Sequence, residues 1–234
     1  MDFKIVKKDV VVSTNTLLKE LAKNGADHGT VLIADSQTGG KGRLGRSFYS
    51  PEKTGIYMSV LLRRDFGNNP TLVTTLASVC VMKAIEKLTG KKAQVKWVND
   101  VLLDGKKVCG ILTEGSFCGK ELEYMIVGIG VNVNTCNFPD DIKDIAGSVG
   151  AEKDRLVDEI LYAFGEEFER FHTLEYLDFY RNRCVSVGKN IKIISPEKEP
   201  VAAFSQGIDD NAGLIVKYPD GTIDVITSGE VSIR

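Results

Sequence analysis

The sequence predicts an α+β fold: a mixed, mostly antiparallel sheet with helices, followed by a small C-terminal β-barrel. Three observations carry this. Apolar, β-branched segments are interrupted by two helical stretches before residue 134. Asp104-Gly105 is a strong tight-turn signal between neighbouring strand pieces. After Val187 the texture changes to several short strands broken by turn residues.

In chain order, Ser13 to Asn24 reads as an amphipathic helix. Ser13 or Asn15 can cap it, Leu17, Leu18 and Leu21 form its stripe, and Gly25 stops it. Thr30 to Ala34 is a short strand, Ser36 to Ser50 a polar loop, and Ile56 to Leu62 a strand. Pro70 sits at the entry of a helix reaching Leu88. Gln94 to Trp97, Val101 to Leu103, Val108 to Thr113 and Tyr124 to Val133 read as strands. Asp154 to Tyr180 is the longest helical region, and its aromatic stripe of Phe164, Phe168 and Phe171 reads as core packing. Ile191 to Ile194, Val201 to Ser205, Leu214 to Tyr218 and Thr222 to Ile226 supply the barrel. The boundary falls near Val185, giving a domain over 1–184 and a second over 185–234.

Composition narrows the function. Hydrophobic residues make up 43% and charged residues 26% of 234 residues, ordinary for a globular protein that buries its own core. A formal charge of −2 gives no global basic field for nucleic acid. Five cysteines, without a C-x-x-C pair, argue against a disulfide framework or a thiolate zinc site and for a reducing cytoplasm. His28 and His172 are too far apart in sequence to suggest a histidine-based centre. No apolar run approaches the roughly 18 residues of a membrane span, and the mixed-charge start Met1-Asp2-Phe3-Lys4, with no apolar run after it, leads to no signal peptide being expected.

Four segments carry chemistry. Gly39-Gly40-Lys41-Gly42-Arg43-Leu44-Gly45-Arg46 places glycines and cations in one loop. Glycine lets backbone N–H groups approach an anion closely, so a phosphate or carboxylate is the natural guest. The spacing fits neither a Walker A loop nor a dinucleotide fingerprint. Lys96-Trp97-Val98-Asn99-Asp100, followed by Lys107-Val108-Cys109-Gly110, sets two lysines around a tight hairpin with a glycine that permits close approach. Ser13-Thr14-Asn15 at a helix start is either a cap or a set of groups facing a small polar ligand. Gly128-Ile129-Gly130-Val131-Asn132-Val133-Asn134 alternates glycine with apolar residues, leaving room on one strand face for a ligand or a crossing backbone.

In this order and spacing, the segments resemble the biotin–protein ligase family. Gln37 ahead of the glycine loop, Gly110-Ile111-Leu112 and the closing Gly229-Glu230-Val231-Ser232-Ile233-Arg234 add to the match, which runs from about Val10 to the end. The resemblance implies a catalytic domain of the class II synthetase and biotin–lipoate ligase type with an SH3-like C-terminal domain. It implies a cytoplasmic ligase that activates biotin with ATP and Mg²⁺ as biotinyl-5'-AMP. The biotinyl group then passes to a lysine of a biotin carboxyl carrier protein. Because the pattern begins by about residue 10, a form without an N-terminal DNA-binding domain is expected. Neither nucleic acid nor membrane is an expected partner, and a homodimer is compatible with the pattern.

The resemblance also assigns roles. Ser13, Thr14, Asn15 and Gln37 match contacts to the biotin ring, and Lys41, Gly42 and Arg43 match the loop that folds over it. Lys107 matches the lysine bridging the biotin carboxylate and the α-phosphate; with Arg43 and Arg46 it forms the expected catalytic set. Arg46, Lys96, Trp97, Asn99 and Asn132 are expected near the nucleotide, and no metal ligand is assigned. Lys41 stands where the family usually has arginine, and Val98 where it usually has proline; the lysine keeps the charge and loses the planar fork. A lipoate- or octanoate-type protein ligase, or a non-catalytic biotin sensor, is the alternative reading.

Overall fold

The computed structural model describes residues 1–63, 69–119, 121–194 and 199–233; Arg234, which closes the C-terminal match, lies outside them. A seven-stranded sheet forms the larger part of the fold. Its strands are β1 (Lys4–Val11), β2 (Thr30–Gln37), β3 (Gly55–Leu62), β4 (Gln94–Lys96), β5 (Asp100–Leu103), β6 (Lys106–Cys118) and β7 (Glu121–Asn132). They are ordered β1-β2-β3-β7-β6-β5-β4. The β1–β2 pair is parallel and the other ladders of this sheet are antiparallel, the mixed sheet expected. Strand β1 has no counterpart in the sequence reading. It is an edge strand whose side chains are almost all partly or fully exposed, so no buried alternation marks it.

Helix α1 (Thr14–Lys23) packs one face of the sheet, while α2 (Pro70–Thr89), α3 (Lys153–Glu169) and α4 (Glu175–Arg183) cover the other. Strand β3 is buried on both faces and divides the two sides. Ile56, Met58, Val60 and Leu62 enter the main core, and Leu61 joins Leu18 and Ala22 of α1. By the two-residue period of a strand, Tyr57 and Ser59 share the α1 face, where the cleft described below opens. The helical region expected over Asp154 to Tyr180 holds two helices. A short 3-10 turn, Phe171–Thr173, and Leu174 at φ 59° separate them. The aromatic stripe runs through the break as a stack, Phe164 to Phe168, Phe171 and Tyr176, with centroids 6.0 Å apart at each step. It is core, as its spacing implies.

The C-terminal strands are β8 (Asn190–Ile194), β9 (Val201–Ile208), β10 (Leu214–Lys217), β11 (Ile223–Ile226) and β12 (Glu230–Ile233). They form an antiparallel sheet ordered β11-β10-β9-β8-β12, the small barrel expected, left open between β11 and β12. Its inner residues Ile191, Leu214, Val216 and Val231 join the same core as Trp97. The Trp97 indole donates to the Ala212 carbonyl at 3.0 Å, which satisfies its buried N–H and ties the two sheets together.

Candidate active site

A cleft with about 860 Å³ of empty space, open solvent included, lies on the α1 face and reaches the start of β12. At one end the lining is polar and uncharged. Ser13 and Thr14 begin α1, Asn15 follows, and Gln37 ends β2. The carbonyl oxygen of the Gln37 side chain accepts the Thr14 backbone N–H at 2.8 Å and lies 3.1 Å from the Thr14 hydroxyl. Ser59 Oγ lies 2.8 Å from Thr14 Oγ1 and 2.6 Å from Asn15 Oδ1. The Asn15 amide donates to Glu114 at 2.7 Å and to the Leu112 carbonyl at 3.2 Å. Ser13 occupies the cap position without a side-chain cap bond, so its hydroxyl stays available to a ligand.

The alternating glycines of β6 and β7 form the floor. Gly110 and Gly130 are paired across the two strands. A side chain at Gly130 would meet the Phe48 ring at 2.6 Å, and one at Gly128 would overlap the Asn15 amide. The small residues therefore make room for two side chains of the site.

The other end is cationic. The glycine loop folds back on itself through Phe48 N–H to Gly40 at 2.9 Å and Gly42 N–H to Arg46 at 2.7 Å. It crosses the cleft and docks on its far wall. The Arg43 guanidinium donates to Asn99 at 3.1 Å and to the Gly229 carbonyl at 2.6 Å, and Arg46 pairs with Glu230 at 2.8 Å. Burial depresses the Arg43 guanidinium from its usual value, and the nearby charges of Asp100 and Glu230 partly offset that; it stays cationic at neutral pH.

Lys107 Nζ pairs with Asp100 at 2.6 Å. The register between β5 and β6 slips here, Leu102 facing Lys107 and Val101 facing Cys109, so β6 carries one extra residue. Such a bulge re-aims side chains. A strap after β7 holds Lys107 from the opposite edge: Lys107 N–H donates to the Ile145 carbonyl at 2.8 Å, and Gly147 N–H to the Lys107 carbonyl at 2.9 Å. One cleft thus holds a neutral polar cluster and a cationic cluster, each bonded within itself.

Comparison with known proteins gives the same direction. Residues 8–132 match the biotin/lipoate A/B protein ligase family, and residues 187–234 match the biotin protein ligase C terminal domain. The chain is 34% identical to the bifunctional ligase/repressor BirA of Bacillus spizizenii over 98% of its own length and 74% of that protein. It is 32% identical to the biotin–[acetyl-CoA-carboxylase] ligase of Paracoccus denitrificans over 94% of its length and 96% of that protein. The chain belongs to the biotin protein ligase family. A solved structure of the Aquifex aeolicus biotin protein ligase in complex with biotin and ATP superposes with a TM-score of 0.85. That match has 30% identity and covers 99% of this chain and 98% of the other.

Within this ligase the structure brings together nearly all the residues expected from sequence. Ser13, Thr14, Asn15, Gln37, Lys41, Gly42, Arg43 and Arg46 line the cleft, as do Lys96, Trp97, Asn99 and Lys107. Asn132 does not line it. It lies at the end of β7 opposite Gly55, buried, and its carbonyl accepts the Val149 N–H at 2.9 Å. Ser59, Glu114, Asp100, Phe48 and Glu230 escape a reading of the sequence as site residues. Asp100 and Glu230 stand inside the quoted motifs, and the excess of cations over carboxylates there is the available signal.

The remaining reactive groups are not poised for chemistry in the cleft. Neither histidine lines the cleft. Burial pushes the Cys109 thiol well up, and the Tyr57 phenol up to about 12, so neither is a base or nucleophile at neutral pH. All five cysteines are free, and among the described residues no helix is long and apolar enough to cross a membrane.

Proposed function

We propose that this biotin–protein ligase seats the biotin ring at the neutral end of the cleft and joins its carboxylate to ATP at the cationic end. One observation carries the reading: Lys107, held on Asp100 beside Gly110, lines the same cleft as Arg43 and Arg46 and as the uncharged Thr14, Asn15 and Gln37. The ureido ring meets Ser13, Thr14, Asn15 and Gln37, and Lys41 and Gly42 close over it. The nucleotide lies along Arg46, Lys96, Trp97 and Asn99, with Asn132 behind the floor rather than in contact. The chain divides at about Val185, into a catalytic domain over 1–184 and a C-terminal domain over 185–234.

In the first step a biotin carboxylate oxygen forms a bond to the α-phosphorus. The bond from that phosphorus to the bridging oxygen breaks, and pyrophosphate leaves. A carboxylate is already the nucleophile at neutral pH, so no base is needed. Two anions must meet, and Lys107 and Arg43 offset their repulsion and the charge growing on the α-phosphate. In the second step the amine of a carrier-protein lysine attacks the acyl carbon. A C–N bond forms, the C–O bond to AMP breaks, and the amine's proton passes to solvent as AMP leaves. The docked loop excludes water from the mixed anhydride between steps.

Mg²⁺ enters as MgATP. Among the described residues no group of three His, Cys, Asp or Glu side chains comes together. Asp100, Glu230 and Asn99 are the cleft oxygens near the cations that suit a hard cation, each now held by Lys107, Arg46 or Arg43, and the ion would neutralise the leaving pyrophosphate. Cytoplasmic residence, consistent with five free thiols, and a biotin carboxyl carrier protein as acceptor complete the reading.

The test is pyrophosphate release with biotin and MgATP, followed by mass spectrometry of a purified biotin carboxyl carrier domain. One biotinyl adduct on one lysine is expected. Release with lipoate but not biotin would favour the lipoate-type alternative, and tight biotin binding without release would favour a sensor.

A further inference from the structure

We infer that Glu114, Asn15 and Ser59 form a relay that fixes the Thr14 hydroxyl as a hydrogen-bond acceptor, so that this end of the cleft selects a ligand presenting N–H groups. The inference rests on the reading of the cleft as a biotin site. It assigns positioning roles to Glu114 and Ser59, which touch no substrate in that reading.

The proton order follows from donor and acceptor inventory. The Leu112 carbonyl and the Glu114 carboxylate accept only, and both lie within hydrogen-bond reach of one Asn15 side-chain atom, at 3.2 and 2.7 Å. That atom must be the amide nitrogen, so the Asn15 oxygen faces Ser59. A carbonyl oxygen only accepts; the single Ser59 hydroxyl proton is therefore committed to Asn15 Oδ1 at 2.6 Å. Ser59 then meets Thr14, 2.8 Å away, with a lone pair. The other neighbour of the Thr14 hydroxyl is Gln37 Oε1 at 3.1 Å, already held as an acceptor by the Thr14 backbone N–H. At 2.8 Å the two hydroxyl oxygens need a proton between them, so Thr14 donates to Ser59 and its proton is consumed inside the protein. Thr14 has only lone pairs left for a ligand.

The relay is rigid because it is buried. Ser59 is 0% exposed, and Asn15 and Thr14 are each 4% exposed. Asn15 fills the space left by the missing side chain of Gly128, which stops its amide from swinging away. A cyclic urea brings two N–H donors to such acceptors, and the Ser13 hydroxyl remains to donate to its carbonyl. The dithiolane ring of lipoate brings none. A site that pairs with a ligand N–H rejects an analogue lacking it, because the buried acceptor is left unpaired.

The experiment titrates biotin, lipoate and MgATP separately by calorimetry into the wild-type protein and Ser59→Ala, Glu114→Leu and Glu114→Gln. Loss of the Asn15 acceptor or of the Ser59 hydroxyl should weaken biotin about 10-fold, the scale of one buried hydrogen bond. Glu114→Gln keeps an acceptor and should stay within about 3-fold of wild type. MgATP binding should not move in any variant. Wild-type biotin affinity in Glu114→Leu would overturn the relay, as would equal weakening by Gln and Leu at 114, or equal loss of MgATP and biotin. Should Ser59→Ala fail to fold, the two Glu114 variants decide alone. Binding of lipoate in place of biotin by the unaltered protein would instead contradict the functional reading beneath it.

Discussion

At one end of the cleft, Thr14, Asn15, Ser59 and Gln37 are bonded to one another, the first three nearly closed to water. At the other, Lys107, Arg43 and Arg46 are bonded to Asp100, Asn99 and Glu230, and the Arg46 side chain is 64% exposed. Neutral groups in a closed network hold fixed directions and discriminate by geometry. Cations with exchangeable partners hold charge in reserve, and an incoming phosphate can take them over. Recognition of the ring and stabilisation of the reacting phosphate are thus built from different interactions and should respond to different perturbations.

The strongest way to break this contrast is Lys107→Ala. Pyrophosphate release should fall by about 10²–10³-fold, the usual loss for one group aimed at transition-state charge, with a far smaller change in biotin affinity. Equal losses in both would mean that Lys107 belongs to ring recognition as well. Arg43→Ala removes two charge-assisted bonds that dock the loop, at Asn99 and Gly229. Bound biotinyl-AMP should then escape about 10-fold faster in single-turnover trapping, and an unaltered half-life would show that the loop does not shield it.

Gly128→Ala sharpens the other side of the contrast. A methyl group there overlaps the Asn15 amide, so biotin should bind about 10-fold more weakly while MgATP binding holds. The smallest effect should come from Glu230→Gln. It releases Arg46 from an exposed pair, worth at most about 1 kcal/mol, and should tighten MgATP no more than about 5-fold at low salt. Weaker MgATP binding in that variant would mean Glu230 orients Arg46 rather than competing for it.

What the sequence exposes and what it hides follow the same division. The cations cluster in eight consecutive residues, and a glycine-rich cationic loop has few other uses, so Lys41, Arg43 and Arg46 are legible. Their partners are not: Asp100, Glu114 and Glu230 are single acidic residues on strands, and only the fold sets them against a charge or an amide. Ser59 lies in the middle of an apolar strand, where a serine gives no sign of its bonds. Strand β1 lacks a buried face, and the break at Leu174 has neither glycine nor proline to announce it. Asn132 continues the face of Gly128 and Gly130 by strand period, yet β7 ends there and the residue meets the strap instead of the cleft.

The contrast is tested most directly by titrating biotin and MgATP separately at about 0.05 M and about 0.5 M salt, following Trp97, the one tryptophan in the chain and a member of the cleft lining. Biotin affinity should change less than about 3-fold between the two, and MgATP affinity should fall more than about 10-fold. Equal sensitivity of both ligands would contradict the division of the cleft into a neutral recognition end and a cationic reacting end.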